Sequence, residues 1–284
     1  MDTMLSFHND NMSNIMSKDE IKKVCPLAFY QEPTNPGVSN KYMMANTETI
    51  IDDMSRLGWY PVEAKQCRAR KGSKGIRSFH MVAFQNEHVK IMQNGQTEAY
   101  PRIILTNSHD GFNSFKFMCG IYRLICSNGL VVATEEFANI SIRHINYTFE
   151  ELRTVVAQAI DAIPEQVKVM NKMKGTELTD EQKREMAIET FKIRKGLTAE
   201  DKVNVDDDTI ATLLSPLREE DEGNSLWNVF NVLQEKMIKG GYSAAGKNGR
   251  VRKQRGISSI KKDVDYNQRL WMVAERYMPA TVAA

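Results

Sequence analysis

The apolar residues change period at Thr148, and that switch constrains the fold more than any other feature of the chain. Downstream, Phe149, Leu152, Val155, Val156, Ile160 and Ile163 recur at helical spacing behind a Thr148–Glu151 capping box. Four more helix starts follow: Thr179 with Gln182, a short "TIATLL" near Asp208 that stops before Pro216, Ser225 ahead of "LWNVFNVLQEKMIK", and Ser258 or Ser259 ahead of "IKKDVDYNQRLWMVAERYM". Upstream the signals are those of strands. "WYPVEAKQCRAR", "SFHMVAFQNEHVKI" and "AYPRIILTNS" are separated by the turn-forming "KGSKG" and "QNGQ", which predicts an antiparallel meander. A helix from Asn46 or Thr47, with Ile50, Ile51, Met54 and Leu57 facing inward, precedes the meander and ends at Gly58.

The stretch "NSFKFMCGIYRLICSNG" is apolar nearly all round and carries only Lys116 and Arg123 as charges. With Asn113 or Ser114 as N-cap and Asn128-Gly129 as a stop, it reads as a buried helix over Ser114–Cys126, followed by one or two strands in "LVVATEEFANISIRHI". The expected fold is therefore α+β: an N-terminal antiparallel strand meander with a buried central helix, and a helical C-terminal half. Residues 1–40 form an irregular lead-in, 41–147 the α+β core, and 148–284 the helical half, with a mobile basic loop near 240–256.

The net charge of +2 conceals strong segregation. Lys65 to Arg77 holds six basic and no acidic residues, Lys236 to Lys262 nine and none, and Thr198 to Glu222 nine acidic residues against Lys202 and Arg218. Two acid-free basic blocks point to a polyanion, because Lys and Arg neutralise phosphates and release counterions. Candidate contacts in the first block are Lys65, Arg68, Arg70, Lys71, Lys74 and Arg77, on a hairpin whose tip could also be a merely soluble turn. In the second they are Lys247, Arg250, Arg252, Lys253 and Arg255, with Tyr242 as a base-stacking residue. Lys116 and Arg123, seven apart on one stripe of the central helix, complete the set. The competing partner for the second block is the acidic segment, of the same chain or of a neighbouring copy in a homo-oligomer.

His109-Asp110, in "TNSHDGFN", could be a general base with its orienting carboxylate, or two metal ligands, but Asn, Ser, Asp and Gly make the same stretch a turn. The turn reading is preferred. No catalytic residue, metal site or cofactor is assigned, and Walker, HExxH, GxSxG and zinc-finger spacings are absent. Cys25, Cys67, Cys119 and Cys126 show no CxxC pairing and read as reduced thiols. The N-terminus lacks a signal-peptide pattern and no run reaches membrane-spanning length, so the expectation is a cytoplasmic protein with no membrane partner.

"NSHDGFNSFKFMCGIYRLICSNGLVV", with "SNKYMMANTETIIDDMSRLGW" upstream and "NSLWNVFNVLQEKM" and "RVRKQRGISSI" downstream, resembles the phage- and plasmid-like family known as domain of unknown function 932, over about residues 38–278. The resemblance implies a viral or mobile-element origin and no particular chemistry. A helix ending in "LGW", a basic strand meander and a buried helix are also similar in architecture to the core of single-strand annealing recombinases, which implies oligomers holding single-stranded DNA in a basic groove. The leading expectation is thus a non-enzymatic, sequence-tolerant nucleic-acid-binding protein of phage replication or recombination, acting on single-stranded DNA. The alternatives are a protein-interaction module that binds or blocks a host protein, and a metal-dependent nuclease built on His109, Asp110 and Glu63.

Overall fold

A computed structural model describes residues 4–7, 14–40, 42–67, 71–72, 75–113, 115–123, 129–130, 148–245 and 250–279. The chain is α+β, with an N-terminal antiparallel sheet and a helical C-terminal half. It divides into two compact units, one gathering the sheet with the chain to Glu165, the other running from Gln166.

In the first unit the longest strand, β7 (Gln96–Asn107), is the spine. Along one edge it pairs with β8 (Lys116–Arg123) over eight residues, Ala99↔Arg123 to Thr106↔Lys116. Along the other edge it pairs first with β6 (Val89–Gln93) and then with β5 (His80–Gln85), both antiparallel. Beyond these lie β1 (Met4–Phe7) against β6 and β2 (Tyr60–Gln66) against β5, and β9 (Gly129–Leu130) extends β8. The β2–β5 pair continues outward through the bond from Cys67 N–H to Phe79 O into the short ribbon β3 (Lys71–Gly72) and β4 (Gly75–Ile76).

The expected central helix is not there: residues 116–123 are the strand β8. An apolar run buried on both faces carries no polar alternation, so period alone cannot separate helix from strand. The hydrogen-bonding edge of β7 decides it. A spacing of seven, which keeps two residues on one helix face, gives Lys116 and Arg123 opposite parity in a strand. The architectural likeness to annealing recombinases loses its third element with that helix. The region 131–145, expected as strands, lies outside the described residues.

The remaining elements follow their local signals. Helix α2 (Thr47–Arg56) begins on Asn46, whose side chain accepts from Thr49 N–H, and buries Ile50, Ile51 and Met54. At Gly58, with φ of +79°, the chain turns so that Trp59 N–H bonds Met54 O and the indole is fully buried. The lead-in is more regular than expected. Ser17 and Glu20 form a capping box for α1 (Lys18–Val24), and a 3-10 turn follows at Pro26–Phe29. Helix α3 (Phe149–Lys174), capped by Thr148 and Glu151, carries Pro164 where the two units meet in sequence.

The second unit is built from α4 (Asp180–Lys195), α5 (Asp207–Leu214), α6 (Leu226–Lys239) and α7 (Ile260–Glu275). Each starts on a side-chain cap: Thr179, Asp206, Ser225 and Ser259. Phe230 of α6 meets Trp271 of α7 edge to face at 5.6 Å, and Gln234 donates to Asn267 at 2.9 Å inside that interface. Within 240–256, the region expected as a basic loop, β10 (Ser243–Ala245) pairs antiparallel with β11 (Val251–Lys253).

Candidate nucleic-acid interface

The ribbon of the second unit is fastened at its root by backbone. Gly241 N–H donates to Gln254 O at 2.9 Å, Gln254 N–H to Tyr242 O at 2.7 Å, and Ile257 N–H to Ile238 O at 2.8 Å. Gly240 (φ +72°) lies so close that a Cβ there would stand 2.5 Å from Gln254 O. Alternation turns Tyr242 and Ala244 of the first strand inward; all of β11 is exposed, with Arg252 on the face of Ala244 and Lys253 on that of Ser243, and Arg250 and Arg255 are exposed beside it. Tyr242 therefore cannot stack on a base as expected: burial closes over its ring and pushes the phenol up to about 12. Among the described residues, no carboxylate pairs with Arg252, Lys253 or Arg255.

Two cations unforeseen in the sequence join this surface. Arg194 donates through Nη2 to Arg255 O, and Lys195 reaches Gln254 Oε1 at 3.3 Å. Desolvation, and then repulsion from Arg194, lowers the Lys195 pKa. Both lie in the last turn of α4 before Gly196, where Lys and Arg are commonplace partners of the helix dipole. Their sequence positions gave no sign that Arg194 would meet a ribbon residue 61 positions away. Of the acidic segment, Asp207 pairs with Arg184 at 2.7 Å and Asp221 with Arg218 at 3.1 Å.

In the first unit, Lys65 is exposed and pairs with Glu63, and Lys116 is exposed on β8. Arg68, Arg70 and Lys74, like Lys247 of the second unit, lie outside the described residues, as do the side chains of Lys71 and Arg123. Arg77 emerges where the β3–β4 ribbon enters β5, with its guanidinium 4.0 Å over the centroid of Phe112. Phe112 is 40% exposed. Trp59 is core, so among the aromatics beside the first basic block it offers no stacking face.

Beneath the Arg77–Phe112 pair lies the "NSHDGFN" turn, and its polar groups are buried and mutually bonded. The Asp110 carboxylate accepts from Ser78 N–H at 3.2 Å, Phe112 N–H at 3.0 Å and Ser108 Oγ at 2.8 Å. Ser78 Oγ accepts from His109 N–H at 2.7 Å, and Asn107 donates to Thr47 Oγ1 at 2.9 Å. His80 Nδ1 lies 2.6 Å from Ser78 O, which can only accept, so Nδ1 carries the proton and Nε2 accepts from the Thr47 hydroxyl at 2.8 Å. Burial drives the His80 pKa down to about 4, against smaller raising effects of Ser78 O and Asp110. His109, with Nε2 3.3 Å from Thr47 Oγ1, is equally inaccessible. Glu63 stands on the sheet face opposite His80, bonded to Lys65 and Arg102. His109, Asp110 and Glu63 are thus not brought together, and no cluster among the described residues is arranged to hold a metal.

A family described as a domain of unknown function, DUF932, matches residues 37–271. The chain belongs to the DUF932 family. It is also similar to two Escherichia coli K12 proteins, UPF0380 protein YafZ and UPF0380 protein YfjQ, each 30% identical over 269 residues, covering 92% of this chain and 90% of theirs. No solved structure matches. In this DUF932 chain the polar network ties together segments far apart in sequence, with Thr34 N–H on His109 O and Asn35 Nδ2 on Asp110 O. A side chain at Gly111 (φ +72°) would meet Val38 at 2.8 Å, so the turn packs against the lead-in only because that position is glycine. No helix among the described residues is long and apolar enough to cross a membrane.

Proposed function

We propose that this DUF932 protein binds nucleic acid through its backbone phosphates, sequence-tolerantly and without catalysis, with single-stranded DNA of phage or mobile-element replication or recombination as its partner. The observation that carries this reading is the β10–β11 ribbon. It presents Arg252 and Lys253 on β11, and Arg255 just beyond it, to solvent, with main-chain bonds at its root and Arg194 and Lys195 beside it. Cations gathered without interleaved acids raise the local potential, and a phosphate backbone is the ligand that uses several of them at once. Base-edge readout is not required for such binding, so sequence tolerance follows.

The test is fluorescence anisotropy of labelled single- and double-stranded DNA and RNA, titrated with the protein across a salt series. Binding should weaken steeply with salt. Changing Arg252, Lys253 and Arg255 to Gln should flatten the slope of log K against log salt by about 2 on a single strand, at roughly 0.7 per phosphate contact. Binding that ignores salt, or a triple variant that behaves as the parent, removes the reading and leaves a protein partner as the better explanation of the charged surface.

A further inference from the structure

Resting on that reading, we propose that the exposed Arg77–Phe112 pair is a stacking platform for an unpaired nucleobase, which makes the first unit selective for single strands. The pair is built, not incidental. Asp110 accepts from Ser78 N–H and from Phe112 N–H, so one buried carboxylate fixes the residue after Arg77 and the residue carrying the ring. Such support from beneath keeps an exposed ring in place without a ligand and lowers the entropy lost on binding.

The surroundings suit a base. A depression lined by Phe112 together with Asn35, Ser39, Tyr42 and Gly111 opens beside the pair. Tyr42 donates its hydroxyl to Ser108 O at 3.1 Å, so it is tied to the same network. Arg77, next after β4 in the chain, is itself exposed and supplies a cation for a phosphate of the same strand. A base in a duplex has both faces stacked already, whereas every base of a single strand can offer one face to an aromatic ring.

The test compares the parent with Phe112→Ala and Phe112→Trp on three probes: a single-stranded oligonucleotide, the same strand with abasic sites throughout, and its duplex. Phe112→Ala should weaken the intact strand by about 5- to 140-fold, the ~1–3 kcal/mol of one base–aromatic stack converted at 1.4 kcal/mol per decade. It should leave the abasic strand and the duplex unchanged. Phe112→Trp should bind as the parent does and lose indole fluorescence on the intact strand only. If Phe112→Ala binds the intact strand like the parent, or weakens all three probes alike, the platform is wrong while phosphate binding stands. If the parent binds none of the probes at any salt, the proposed function falls and the platform with it.

Discussion

Arg218 is the residue whose removal the structure reads most sharply. Its guanidinium holds Glu235 with both terminal nitrogens, at 2.8 and 2.6 Å, and Asp221 at 3.1 Å. The Asp221 and Glu235 side chains are only 2% and 4% exposed, while Arg218 is 22% exposed. Arg218→Met would leave two carboxylates nearly out of water, with Glu235 keeping Lys239 at 2.8 Å. Removing one partner of a buried pair costs about 3–5 kcal/mol; the partial exposure of Arg218 and the surviving lysine set the expectation near ~3 kcal/mol, or a midpoint lower by roughly 6–12 °C. The pH dependence supplies the sign. Burial alone would raise the Glu235 pKa, but the bonds from Arg218 and Lys239 outweigh it and hold the carboxylate below its ordinary range. In the parent that stabilisation is present above the unfolded pKa and is lost as pH falls through the folded one. In Arg218→Met the Glu235 carboxylate, left with Lys239 alone, takes a proton more readily, so the two proteins should converge on acidification below about pH 5. Thermal melts from pH 7 to 4, with Arg218→Met/Glu235→Gln as a partial rescue, measure this. A variant that melts within about 2 °C of the parent at pH 7, or a gap that persists unchanged at pH 4, would refute the buried-pair argument.

Gly240→Ala should cost more than about 2 kcal/mol in denaturant unfolding, because the new methyl meets Gln254 O at 2.5 Å and φ is +72°. Pro164→Ala should stabilise α3 by up to about 3 kcal/mol: Pro164 is exposed within the helix and its missing N–H leaves a backbone bond unmade. His80, with a pKa near 4 when folded, keeps its neutral-form stability above about pH 6.5 and loses about 3 kcal/mol as pH falls from there to 4; His80→Gln should flatten that limb of the urea-midpoint profile.

The helical half was legible because its signals are local. Thr148, Thr179, Ser225 and Ser259 each cap the helix their side chains announce, and the apolar spacing behind them is the buried face. The meander was legible for the same reason, through its turns. The strand β8 was not, since only its pairing with β7 distinguishes it from a buried helix. Helix α1 was missed through an overlooked local signal, the capping box written in "SKDE". Of the candidate surface, the exposed cations of β11 could be read from charge alone, but Tyr242 could not be placed until the alternation of the ribbon was known. Phe112 stood in plain sight within "DGFN"; nothing local says that its ring meets Arg77, 35 positions earlier in the chain.

The two basic surfaces are made in different ways, and the difference governs how each should respond to change. The β10–β11 ribbon is held by main-chain bonds at Gly241, Gln254 and Ile257, so its cations are interchangeable and each substitution should remove one increment of phosphate affinity. The Arg77–Phe112 pair is held by a side-chain network that converges on Asp110. There the consequence is not incremental. Asp110→Asn keeps the size of the group but turns one of its two acceptor atoms into a donor, facing either the Ser78 N–H or the N–H of Phe112 and the hydroxyl of Ser108. Buried networks of this kind lose more than one bond when one member is changed. Asp110→Asn should therefore weaken single-strand binding about as much as Phe112→Ala does although it touches no ligand, and leave the salt slope set by Arg252, Lys253 and Arg255 unchanged. A parallel loss of slope would show that the network supports the fold at large and does not act through the ring.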